Sequence, residues 1–206
     1  MAQYVLYLLI IGLTMEYGIV ISTGVQTHNA LLDGYSVVPL HWSGAIEKDD
    51  EILSFNGTIQ EIEAKIQESN PGFSWKMSFE QRAGNREVSN IQDRDQNGNI
   101  VCDVGSDGRA STLSIGVGSM ALKYAAGTCG IGPGPRVCTQ ISCAYDGGIW
   151  LCNDNAWGID LSCNDIAAYV DNIIDQCGTD QGHGDVQGQE FDTENYNVIV
   201  GHAVCT

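Results

Sequence analysis

The residues with the most chemistry in this chain are its eight cysteines, Cys102, Cys129, Cys138, Cys143, Cys152, Cys163, Cys177 and Cys205, none of which lies in the first 101 positions. Five of them fall between Cys138 and Cys177. An even count in a compact segment implies a disulfide framework in an oxidising compartment, with roughly a hundred pairings open to eight thiols and nothing in the spacing to choose among them. Zinc is the rival chemistry, but the chain has no Cys-x-x-Cys pair.

Three further groups carry candidate chemistry. Asp93, Asp95 and Asn97, followed by Gly98 and Ile100, reproduce the first eight positions of an EF-hand loop, with oxygen ligands at the first, third and fifth places. The twelfth place is Val104, where a bidentate Glu belongs, so calcium competes with a plain Asn-Gly turn leading into a strand; no other cofactor is implied. His183 and His202 with Asp185 and Glu190 could supply base, acid and orienter to a small hydrolase, but His183 sits between glycines in a loop pattern and no catalytic constellation is complete. The chain therefore reads as a non-enzyme. Trp157 with Asp154, Asn155 and Asp160, in the polar loop from Asn153 to Asp160, forms a candidate binding surface for a protein or a glycan, whereas Trp150 reads as core.

These residues need a scaffold, and its centre is the stretch from Cys138 to Cys177. Short apolar runs at Ile141 and Ile149 to Leu151 flank Asp146-Gly147-Gly148, a hairpin signature. Ser162 then stands where an N-cap belongs, Asp165 follows three residues later, and Gly178 marks the stop of a helix. Cys163, Ile166, Val170, Ile173 and Cys177 share one stripe of that helix, which predicts two staples from its buried face. Upstream, Ile100 to Val104 predicts a strand, Arg109 to Ala126 fits a helix better than a strand by length, and Gly127 to Pro135 reads as a loop. Downstream, Val186 to Phe191 and Tyr196 to Val200 predict a hairpin around residues 192–195. The order β, α, β, β, α, β, β predicts an α+β fold of the split βαβ type: an antiparallel sheet of about five strands, covered on one face by two helices and stapled by disulfides.

The remaining chain divides by composition. Residues 1–24 resemble a signal peptide, with apolar residues from Tyr4 to Leu13 and small residues at Ser22 and Gly24; Glu16 argues against a membrane-spanning helix. Residues 25–82 hold a predicted hairpin and a helix opened by Thr58 and Glu61, with Ile59, Ile62 and Ile66 on one side and a stop at Asn70-Pro71-Gly72. Asn56-Gly57-Thr58 is a glycosylation sequon. Single arginines at Arg82, before Ala83, and at Arg86 resemble degenerate processing sites, so residues 25–82 read as a propeptide or a permanent small N-terminal region, and 83–206 as the mature domain. The formal charge of −17 excludes nucleic acid and an anionic membrane surface as the main partner, because both are bound by clustered Lys and Arg.

Ile149 to Cys152, Cys163 to Val170, Cys177-Gly178, Gly188-Gln189, Tyr196 to Val200 and Cys205 together resemble the C-terminal half of the small single-chain killer toxins of smut fungi and related secreted cysteine-rich fungal effectors. The likeness spans roughly residues 99 to 206. It implies an extracellular, disulfide-rich α/β sandwich that acts on competing cells or plant hosts, with interference at calcium channels proposed for the toxins. Those toxins are typically basic; residues 83–206 here carry five basic side chains against sixteen acidic ones, so the resemblance extends to architecture and class, not to mechanism.

Overall fold

Three short strands lie early in the chain, β1 (Ser36–Val38), β2 (His41–Gly44) and β3 (Leu53–Asn56), with inward and outward positions alternating along β2 and β3. The computed structural model describes residues 32, 34–46, 51–83, 99–105 and 108–205. Helix α1 (Ile59–Ser69) starts at the expected capping box, in which the Glu61 N–H donates to the Thr58 hydroxyl and the Thr58 N–H donates to the Glu61 carboxylate. Its Ile59, Ile62 and Ile66 are buried. Then come α2 (Trp75–Ala83), β4 (Asn99–Cys102), β5 (Ala110–Ser111), α3 (Thr112–Tyr124), β6 (Thr128–Ile131), β7 (Val137–Ala144), β8 (Gly147–Asn153), β9 (Ile159–Ser162), α4 (Cys163–Cys177), β10 (Asp185–Val186), β11 (Gly188–Phe191) and β12 (Tyr196–His202).

The fold is mixed α/β, with four α-helices among the described residues. A six-stranded sheet runs β1-β7-β8-β12-β11-β4, antiparallel throughout except where β1 lies parallel to β7. A second, four-stranded antiparallel sheet runs β3-β2-β6-β9, and β5 pairs with β10. The large sheet therefore exceeds the predicted count of about five, because residues 36–38 of the N-terminal region add a strand to it. Strands β8 and β12 form its middle and are buried on both faces: Ile149, Leu151, Val198 and Val200 pack with α3 and α4 in the main core, while Trp150 and Ile199 pack with Leu32 and Ala203 on the other side.

All eight cysteines are paired. Cys163 and Cys177, the first and last residues of α4, bond to Cys129 on β6 and Cys102 on β4, so both ends of the helix are stapled as its stripe predicts. Cys138 and Cys152 link directly paired positions on β7 and β8, and Cys143 holds the tail at Cys205.

Four local expectations need correction, the first being the cap of α4: Ser162 takes the N-cap position, but its hydroxyl donates to the Asn164 side chain and caps no helix N–H. The hairpin between β7 and β8 turns at Tyr145-Asp146, with Tyr145 at φ 56°, while Gly147 and Gly148 lie within β8. Gly147 is needed for close approach: a Cβ there would stand 2.9 Å from the Ser114 Cβ on α3. In α3, whose segment fits a helix through Leu113, Val117, Met120 and Tyr124, the first three of these residues face outward, with Leu113 76% exposed, while Tyr124 packs against the core. Apolar residues fall on both the inner and outer sides of the helix, so periodicity does not choose the inner face; Gly118 marks it, since a Cβ there would fall 2.7 Å from the Ile149 Cδ1. Finally, the predicted loop from Gly127 opens with β6, whose Thr-Cys-Gly-Ile sequence has little strand signal of its own and is held by β2 on one side and β9 on the other.

Candidate binding surface

Asn153 is wholly buried at the end of β8, and its side chain builds the loop that follows. Its Nδ2 donates to the Gly132 carbonyl at 3.0 Å and to the Trp157 carbonyl at 2.7 Å, and its Oδ1 accepts from the Asn155 N–H. Asn155, also buried, donates through Nδ2 to the carbonyls of Glu194 and Asn195 and accepts from the Gly134 N–H. The Asp154 carboxylate accepts from the Tyr35 hydroxyl, the Asn197 side chain and the Arg136 N–H. Burial, ahead of its neighbours, raises the pKa of the Tyr35 phenol. Three loops, 132–136, 153–158 and 192–195, are thus tied into one knot, to which residue 35 of the N-terminal region contributes. From this knot Trp157 projects with 65% of its surface exposed.

Of the predicted surface residues, Trp157 and Asp160 face solvent, Asp154 is half-buried and Asn155 is buried. Asp154 and Asn155 serve the loop's geometry and are not available as a contact face. Polar residues in a loop pattern look alike in sequence whether they bond solvent or backbone, so the pattern does not separate Asp154 and Asn155 from Asp160.

The structure adds a neighbouring face that the sequence reading missed. In the four-stranded sheet Asn56, His41, Gly130 and Asp160 stand in one cross-strand row, and Ser54, Ser43, Thr128 and Ser162 in the next row on the same face. The His41 ring bonds the Asn56 side chain through Nδ1 and the Ser54 hydroxyl through Nε2, and Ser43 bonds Thr128. Gly130 leaves room for the Asp160 carboxylate, whose Oδ1 occupies the place that a Cβ would take. The opposite face of the same strands carries Phe55, Trp42, Cys129 and Leu161 into the core. The signal was the alternation His41-Trp42-Ser43 and Ser54-Phe55-Asn56, polar outward and aromatic inward.

Other candidate residues are dispersed. Asn56 is exposed at the end of β3. Arg82 and Ala83 close α2, a helix that the polar junction did not predict. The segments with Asp93, Asp95 and Asn97, with Arg86, and with residues 1–24 lie outside the described residues. Among the described residues no group of three His, Cys, Asp or Glu side chains is placed to hold a metal, and no helix is long and apolar enough to cross a membrane. His183 and Asp185 are exposed, but Glu190 is fully buried under α4, where it accepts from Asn172 Nδ2 at 3.2 Å and burial raises its pKa. Tyr169 donates to Asp192 at 2.6 Å beside the Tyr196 hydroxyl, and burial raises its phenol pKa above the ordinary range.

Comparison with family models, with curated proteins and with solved structures returns no match for this chain.

Proposed function

We propose that this is a secreted, non-enzymatic protein of the toxin-like or effector class, which acts by binding a target protein on a competing or host cell. The observation that carries the reading is Trp157: a large apolar side chain exposed on a loop whose backbone is fixed by Asn153 and Asn155 between the stapled Cys152 and Cys163. An indole held outward on a rigid support fits the anchor of an interface better than any structural need. Four disulfides support an extracellular setting. On this reading the large sheet with α3 and α4 is an elaborated split βαβ sandwich of the killer-toxin type, residues 1–24 direct export, and Asn56 carries a glycan. The test is growth inhibition and plant cell death with purified protein and with Trp157→Ala. Loss of activity in the variant at unchanged melting temperature supports the reading; wild-type activity at background across several hosts removes it.

A carbohydrate-binding role is the second reading, favoured by the polar face of His41, Asn56 and Asp160 lying on the same sheet as β9, which follows Trp157 directly. Indole stacking plus side-chain hydrogen bonds is how sugars are commonly held. Titration calorimetry with chitin-type oligosaccharides separates the two: heat that disappears in Trp157→Ala and His41→Ala favours the glycan, and no heat leaves the protein target.

A further inference from the structure

Residues 32–83 are part of both sheets, yet no covalent bond except the backbone holds them there. Every disulfide joins cysteines between 102 and 205, and no cysteine precedes Cys102. The hold comes from three other sources. Strand β1 lies along Val137–Thr139 of β7, and β2 lies along Thr128–Gly130 of β6. Trp42 is fully buried against Phe55 and Trp75, with its indole N–H donating to the Ala126 carbonyl at 2.8 Å, and α1 sinks Ile59, Ile62 and Ile66 into the core shared with α3 and β8. The side chain of Gln60 spans a register shift in β7, donating to the Ser142 hydroxyl at 2.8 Å and accepting from the Cys143 N–H. It thereby covers the stretch of β7 that β1 does not reach, where an open strand edge would invite pairing with another chain.

From these contacts we propose that cleavage after Arg82 or Arg86 does not release a propeptide. It yields a two-chain protein in which the N-terminal piece stays as a strand donor, seated on β6 and β7 of the disulfide-stapled chain. Hydrolysis breaks one peptide bond, takes up one water and creates one new carboxylate and one new amine; none of the contacts named above includes the cut. Removal of the donor would uncover one edge of β6 and strip the aromatic cluster from the core, and it would dismantle the polar face that His41, Ser43, Ser54 and Asn56 share with Asp160. The inference rests on processing only for its occurrence in the organism, because in the test the cut is made in vitro; failure of natural processing and failure of retention are seen separately.

The experiment is limited digestion of the purified full chain with an arginine-specific protease, selecting by intact mass the species cut once, after Arg82 or Arg86. In native mass spectrometry and size exclusion the nicked species is expected to run as one particle with the full mass plus one water. In guanidinium without reductant it separates into two pieces, all four disulfides staying with the larger one. Gln60→Ala, a half-buried side chain whose loss leaves the isoleucine stripe intact, is expected to speed dissociation of the nicked pair about tenfold. Appearance of the N-terminal piece alone under native conditions overturns the proposal, and a half-time unchanged by Gln60→Ala overturns the assignment of the clamp.

Discussion

Residues 99–205 carry four disulfides, whereas residues 32–83 carry none and rely on Trp42, Phe73, Trp75 and three isoleucines for their place in the same core. The two regions differ in what limits their stability. Cross-links restrict the unfolded chain, so the stapled region resists opening even when individual contacts are lost. The unstapled region has only burial and hydrogen bonds, each of which a single substitution can remove. The contrast implies two levels of opening in one molecule, with the N-terminal strands at the lower one.

The largest effect comes from erasing the contrast. Reduction of all four disulfides is expected to unfold the protein, and removing one α4 staple through Cys102→Ala with Cys177→Ala to cost about 2–5 kcal/mol, a fall in melting temperature of roughly 4–20 °C by calorimetry. Next, Trp42→Ala leaves a cavity where a wholly buried indole packs on Phe55 and Trp75, at a cost of about 3–5 kcal/mol. Hydrogen exchange sharpens the point: amides of β2 and β3 should lose protection while those of β8 and β12 keep theirs. Equal loss in all four strands would mean one cooperative unit and end the distinction.

A smaller effect is specific to the stapled side. Burial raises the pKa of Glu190, so the folded state holds this proton more tightly than the unfolded chain does. Its contribution is full at pH below the ordinary carboxylate range and is lost as pH rises from there through the raised folded value. Glu190→Gln should flatten that dependence, matching wild type in acid and melting a few degrees higher at neutral pH, on the scale of about 1 kcal/mol for relief of a buried charge. A parallel pH profile for both proteins would show that the group does not titrate differently on folding. Smallest of all, Trp157→Ala should change stability by less than about 0.5 kcal/mol, as expected for an exposed side chain.

Much of the local structure was legible because it is written in short-range signals. Thr58 with Glu61, the isoleucine stripe of α1, the buried stripe from Cys163 to Cys177 and the hairpin around residues 192–195 all appear where caps and periods place them. What escaped depends on distant partners. β6 exists because His41–Ser43 pairs with it from some 85 positions away in sequence, and the inner face of α3 is marked by Gly118 meeting β7 and β8, not by its apolar pattern. The candidate surface divides in the same way. Trp157 was identifiable as an aromatic in a polar loop, whereas the buried roles of Asn153 and Asn155 follow from carbonyls on two other loops, and His41 joins Asp160 only through the sheet.

The side chain of Asn153 has a further consequence for recognition. By holding the carbonyls of Gly132 and Trp157, it restricts backbone freedom that a mobile loop would surrender on meeting a partner. Ordering a loop residue costs about 1–2 kcal/mol of conformational entropy, and here that loss has already occurred during folding. On the proposed binding role, substitution of this one buried amide should therefore weaken binding without touching the contact surface, through an entropic penalty visible in the temperature dependence of affinity.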